Sequence, residues 1–152
     1  MAHQQDTRPS AAQLVGRGAV GETATPDLEI RDTSAIRADV LETFPYEYPG
    51  SPAIVEISTD EFTAVCPWSG LPDFGTVTVR YLPRDRILEL RSLKFYLLAY
   101  RPVGIYQEHA ANRILGDLVA ACAPGWMELD LDYRVRGGIH TVVRVRWPGA
   151  LR

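Results

Sequence analysis

Lysine is nearly absent from this chain. Of its 16 basic residues, Lys94 is the single lysine and the rest are arginines. Lys94 is then either an accident of an arginine bias or a place where a compact ammonium is needed instead of a planar fork. Cysteine is also scarce. Cys66 and Cys122 are the only two, too few for a disulfide framework, and in a reducing cytosol they are expected to stay thiols. No CxxC pair occurs, and His3, His109 and His140 stand at no zinc-ligand spacing from the cysteines. No apolar run reaches the ~18 residues of a membrane span, and MAHQQDTRPS lacks a signal-peptide apolar region, so the expected compartment is the cytoplasm with no membrane partner. The formal net charge of −3 argues against a broad nucleic-acid surface, while leaving room for a local basic pocket that takes a phosphate.

What is present is ordinary for one globular core: 152 residues, 46% hydrophobic and 23% charged. Residues 1–35 are polar at first and then glycine-rich, and read as a loop-rich arm whose beginning is disordered. A single domain over 36–152 is expected to follow. Ile36 to Glu42 suits either a helical turn or a strand, and Phe44 to Gly50 a turn-rich connector. AIVEIS (53–58) reads as a strand and Glu61 to Val65 as a short approach to the cysteine loop. GTVTVRYL (75–82) alternates, with Val77 and Val79 on one face, and Ile87 to Leu90 is its expected hairpin partner. The period then becomes helical over Ser92–Tyr100 and over Ile105–Cys122, where Ala111, Leu115, Leu118, Val119 and Cys122 form one stripe. Met127–Val135 and Ile139–Trp147 close the chain as two strands around Arg136-Gly137-Gly138. The order implies an α+β domain, an antiparallel sheet with helices on one face.

The chemistry concentrates in AVCPWSGLPDFG (64–75). Cys66 lies in a proline- and glycine-rich loop, and Asp73 follows a second proline. A free cysteine is most often a small buried hydrophobe, and an aspartate after proline is a common turn residue. Together in a loop that turns back on itself, they also fit a thiolate nucleophile with an acid to supply protons. Glu89 suits a solvated strand-end charge. Arg91 and Lys94, three apart, would share a helix face, either as plain wet surface or as a grip on phosphate. Glu108 opens the long helix, where a carboxylate favours the positive end; it equally fits a bidentate acceptor for the N–H pair of a guanine-like edge. Arg136-Gly137-Gly138 fits an anion-binding turn or a plain hairpin.

Three blocks together resemble one family: Cys66-Pro67 with Gly70-Leu71-Pro72-Asp73-Phe74; Glu89-Leu90-Arg91-Ser92-Leu93-Lys94-Phe95-Tyr96; and Glu108 with Arg136-Gly137-Gly138. Over about residues 40–147 the chain is similar to the short, single-module 7-cyano-7-deazaguanine reductases, the NADPH-dependent nitrile reductases of queuosine biosynthesis. The resemblance implies the tunnelling fold, with a four-stranded antiparallel sheet, two helices on one face, and subunits joined edge to edge into a decamer of two pentameric rings. It implies that Cys66 attacks the nitrile carbon to form a thioimide and that Asp73 protonates the nitrogen. It implies a substrate wall from Leu88, Glu89, Leu90, Gln107 and Glu108, and NADPH contacts from Arg91, Ser92, Lys94, Arg136 and Gly137. Two positions depart from the family pattern. Arg91 stands where lysine is usual, and Gln107 stands where histidine is frequent and cannot titrate.

Two other readings remain open. A related amidine-forming enzyme would use the same thioimide but admit ammonia, acting on a base already in tRNA; the NADPH-type block and the acidic charge speak against it. A non-catalytic purine- or pterin-binding ring protein would leave Cys66 and Asp73 as bystanders.

Overall fold

The structure, a computed structural model, describes residues 29–149. The disorder expected at the start of the arm therefore lies outside the described residues. The part of the arm that is described sits on the domain. Arg31 bridges in parallel to Val103, donating its N–H to the Pro102 carbonyl at 2.8 Å and accepting from Gly104 N–H at 2.9 Å. Ile36 to Glu42 resolves as turn, not strand: short 3-10 turns span Thr33–Ala35 and Ala38–Val40.

Six strands and two α-helices follow: β1 (Thr43–Pro45), β2 (Val55–Val65), β3 (Pro72–Leu82), β4 (Arg86–Leu88), α1 (Leu90–Leu98), α2 (Gln107–Cys122), β5 (Trp126–Tyr133) and β6 (Val142–Trp147). The four long strands form one antiparallel sheet in the order β2-β3-β5-β6. Its core face carries Phe62, Ala64, Val77, Val79, Tyr81, Met127, Leu129, Leu131 and Tyr133, all nearly water-free. α1 packs against β2, and α2 against β5 and β6. The opposite face is an ion-pair ladder centred on Arg80, which reaches Glu56 at 2.5 Å and Asp130 at 3.1 Å.

Two expectations need correction. The strands read as AIVEIS and EFTAV are one strand, β2. Its register slips between Thr59 and Phe62, where Asp60 and Glu61 stand opposite Thr76 alone. A bulge of this kind reverses the side-chain alternation. Ile57 and Thr59 before it and Phe62 and Ala64 after it thus meet one core, and that reversal made the sequence look broken. The second correction concerns residues 86–88. They do not pair with β3, because β2 and β5 already occupy both of its edges; β4 pairs instead with β1 in a separate two-stranded ribbon. The Leu88 N–H donates to the buried Tyr81 hydroxyl at 3.1 Å, which ties that ribbon to the end of β3.

α1 starts two residues earlier than its apolar spacing suggests. The Glu89 carboxylate caps it, accepting the N–H groups of Arg91 at 2.7 Å and Ser92 at 2.6 Å. Between the helices the buried Tyr96 hydroxyl donates to Asp117 at 2.7 Å and shares a 2.8 Å hydrogen bond with Tyr100. Burial holds both phenols well above their ordinary range. α2 ends on Ala123, a non-glycine residue at φ 44°, followed by the expected Pro-Gly stop.

Leu129 is 0% exposed at the centre of the sheet. Truncation to alanine there removes buried methyl groups and leaves a cavity, so Leu129→Ala is expected to lower unfolding free energy by about 2–5 kcal/mol, read from the urea midpoint at fixed protein concentration.

Candidate active site

Cys66 sits in the hairpin between β2 and β3. Its N–H donates to the Leu71 carbonyl at 2.9 Å, and its carbonyl accepts from Gly70 N–H at 2.9 Å, so the six residues from Cys66 to Leu71 close on themselves. Gly70 adopts φ 68°, a conformation that glycine takes without strain. A second set of backbone bonds fixes the base of this hairpin. Val65 N–H donates to Val103 at 2.9 Å, and Ile105 N–H donates to Val65 at 3.0 Å. The start of α2, with Gln107 and Glu108, is thereby placed beside the cysteine loop.

Asp73 is not in the loop. It is the second residue of β3, in register with Ala64, and its side chain continues the inward row Gly75, Val77, Val79, Tyr81. It is 8% exposed, a carboxylate at the end of an apolar row. Its partner comes from the turn between β5 and β6: Arg136 donates from Nη1 to Asp73 Oδ1 at 2.5 Å. The other terminal nitrogen of Arg136 lies 3.4 Å from the Ser69 hydroxyl, within the cysteine loop. β3 and β5 approach closely at Gly75, two residues from Asp73. A Cβ there would lie 2.8 Å from the Asp132 carbonyl oxygen, too near for any side chain.

The two thiols have opposite surroundings. Cys66 is half-buried, and its thiol is drawn down to about 7, first by the Ser69 hydroxyl and then by the Arg136 guanidinium, with the Ser69 and Trp68 backbone N–H groups adding to them against desolvation. Cys122 is buried on α2, where desolvation pushes its thiol up to about 11. Tyr133, on the core face, is held well above the ordinary phenol range by burial first and then by the charges of Asp73 and Glu108. Both carboxylates therefore look onto the same end of the sheet as Cys66.

The remaining expected residues fall elsewhere or are already engaged. Leu88, Glu89 and Leu90 lie with Tyr81, eight residues along β3 from Asp73, on the order of 25 Å in strand rise. Glu89 is a helix cap as well as a candidate substrate contact. Ser92 is buried; its hydroxyl donates to the Glu89 carbonyl at 2.8 Å and accepts from Glu42 N–H at 3.0 Å, so it is committed on both sides. Arg91 and Lys94 are exposed on α1. The Arg91 guanidinium lies 5.7 Å from the Phe95 ring centre, and Lys94 Nζ is 3.6 Å from Glu61. Gly137 and Gly138, at φ 59° and 79°, form a tight hairpin turn closed by Arg136 and Ile139, and the Arg136 side chain turns back to Asp73. Ser69 and the contact of Arg136 with Asp73 were not foreseen. The signal was available: the alternation of β3 turns Asp73 inward, and an inward carboxylate requires a cation.

An antiparallel sheet with helices on one face carries, at one end, a lowered thiol in a hairpin and a buried inward carboxylate on the next strand, an arrangement that fits covalent chemistry. Comparison with known proteins narrows the class. The profile of the family described as QueF-like protein matches residues 72–149. An NADPH-dependent 7-cyano-7-deazaguanine reductase from Caldicellulosiruptor bescii is 53% identical over 112 residues, covering 74% of this chain and 86% of the relative. A protein of the same name from Anaeromyxobacter dehalogenans is 52% identical over 106 residues, covering 70% of this chain and 87% of the relative. The crystal structure of an archaeosine synthase QueF-Like in the apo form superposes with a TM-score of 0.61 at 28% identity, over 66% of this chain and 98% of that one. The chain belongs to the QueF-like family.

The difference between the thiols gives a direct test. Iodoacetamide at pH 7 should alkylate Cys66 and spare Cys122 in the folded protein. The rate should rise through a midpoint near 7, because the thiolate is the reacting form. Equal labelling of both cysteines by intact mass would contradict the assignment.

Proposed function

We propose that the chain reduces the nitrile of 7-cyano-7-deazaguanine to the aminomethyl group with two equivalents of NADPH, in the cytoplasmic synthesis of queuosine for tRNA. The observation that carries this reading is the half-buried Cys66, its thiol lowered to about 7 in a rigid hairpin beside the buried Asp73. Relatives about half identical, and named for this reaction, support it.

A nitrile carbon is electrophilic, and a thiolate adds to it readily. Cys66 provides the sulfur and the hairpin bonds fix its direction, so that approach needs little further ordering. Asp73 delivers the proton that the nitrile nitrogen takes up. Glu108, at the exposed start of α2, accepts the paired N–H groups of the deazaguanine ring, with Gln107 next to it as a hydrogen-bonding but non-titrating neighbour. NADPH, when bound, supplies the hydride for each of the two reductions. Arg91 and Lys94 fit its phosphates, since both cations are exposed and neither is held in a short ion pair.

The Leu88–Leu90 segment is remote from Cys66 along β3 of one chain, so it serves the substrate of a neighbouring copy. The sheet supports such an arrangement. β2 and β6 are its two outer strands, and edge-to-edge pairing of copies would close a ring. A decamer of two pentameric rings is expected, with sites between subunits. Light scattering that gave a monomer in an active preparation would refute this assembly.

The deciding experiment is NADPH oxidation with 7-cyano-7-deazaguanine, combined with intact-mass analysis. Two NADPH should be consumed per nitrile, and Cys66→Ala should lose both turnover and the covalent adduct. The archaeosine synthase likeness favours one second outcome. An adduct on Cys66 without NADPH oxidation would assign the chain to amidine formation instead.

A further inference from the structure

Arg136 joins three parts of the site. It comes from the β5–β6 turn, contacts Asp73 of β3 at 2.5 Å, and lies 3.4 Å from Ser69 of the cysteine hairpin. The family resemblance gives it to the cofactor, yet here its planar fork is spread between the carboxylate and the nucleophile's loop. The tight turn at Gly137 and Gly138 aims it inward. We propose that Arg136 is a positioning residue of the addition step, a shared counter-ion that holds Asp73 and the Cys66 sulfur to one guanidinium while negative charge passes between them. This rests on the reductase reading.

The step balances as follows. The Cys66 thiol gives its proton to the Asp73 carboxylate, so the negative charge moves from oxygen to sulfur without leaving Arg136. The sulfur forms a bond to the nitrile carbon, and one C–N π pair moves onto nitrogen. Nitrogen takes the proton from Asp73. The product is a neutral thioimide, with Asp73 again a carboxylate on Arg136, and nothing has been oxidised or reduced. Without the cation, the thiolate and the carboxylate would compete for the same proton beside an apolar core. Among the described residues, the Ser69 hydroxyl, Tyr133 on β5 and Glu108 on α2 also act at this end of the sheet, and none of them is a cation. Arg134 is drawn aside, its guanidinium 5.7 Å from the Phe74 ring centre. A lysine could keep the charge but could not span two acceptors with a fixed fork.

The test compares wild type with Arg136→Gln and Arg136→Lys on the full chain, with folding checked by circular dichroism. The first readout is the pH midpoint of Cys66 alkylation by iodoacetamide. The second is the rate of adduct formation with 7-cyano-7-deazaguanine in the absence of NADPH. Arg136→Gln should raise the midpoint by about one pH unit or more, towards the ordinary thiol value of about 8.5, and slow adduct formation at pH 7 by roughly tenfold, in line with the thiolate lost. Arg136→Lys should restore part of the midpoint but little of the adduct rate. An unchanged midpoint and adduct rate, with only the Michaelis constant for NADPH raised, would overturn the proposal and leave Arg136 a cofactor ligand. Should Arg136→Gln fail to fold, Asp73→Asn serves instead. It turns the guanidinium wholly to sulfur and should lower the midpoint; a midpoint that stays or rises would overturn the shared counter-ion. If wild type forms no adduct while Arg136→Gln still shifts the midpoint, the reductase reading fails and the guanidinium bridge stands.

Discussion

A carboxylate placed at the end of an apolar row must be given a counter-ion, and the active end of this molecule is organised by that requirement. Asp73 faces inward because β3 alternates, and β3 alternates because its other inward residues build the core. An unpaired charge in that position would cost more than the fold could spare. Arg136 answers it from the β5–β6 turn, next to the place where β3 and β5 close tightly at Gly75. The same guanidinium then meets the cysteine loop. One electrostatic need thus draws together a strand, a turn and a hairpin that are distant in sequence, and the lowered Cys66 thiol follows first from Ser69 and then from the same guanidinium.

Much of this was legible in the sequence. The alternation of 75–82 and 127–135 identified two central strands, and the stripe on 105–122 identified the long helix. The expectation that Cys66 and Asp73 act as a pair came from twelve residues, and the structure places Asp73 on β3 next to the hairpin that holds Cys66. Three features were not legible, each for a physical reason. The bulge at Asp60 and Glu61 reverses parity, so a continuous strand looks like two fragments. The pairing of β4 depends on which edges of β3 are free, a property of the whole sheet and not of residues 86–88. The contact of Arg136 with Asp73 depends on β3 and β5 lying side by side, and these strands meet only in three dimensions. Glu89 shows a milder version. A residue read as strand-end charge is the cap that starts α1, and the helix period could not reveal it because the cap precedes the first apolar repeat.

The division of labour along the sheet follows from topology. The backbone of Val65 is stitched to residues 103–105, so the hairpin of Cys66 and the start of α2 are tied to each other. The ribbon of β1 and β4, fastened through Tyr81, belongs to the opposite end. Leu88–Leu90 and Cys66 are thus held at opposite ends of β3 within one chain.

The placement of the second thiol has a redox consequence. A low-pKa, accessible cysteine is the first side chain that a peroxide finds, and the resulting sulfenic acid is normally rescued by condensation with a neighbouring thiol. Cys66 lies by the start of α2 and Cys122 at its end, sixteen residues of helix apart and under the core, about 23 Å by helical rise. No internal disulfide can form across that span. The chain has no resolving partner of its own, so recovery from oxidation falls to small thiols in solution, and the lifetime of the enzyme is tied to the reducing poise around it.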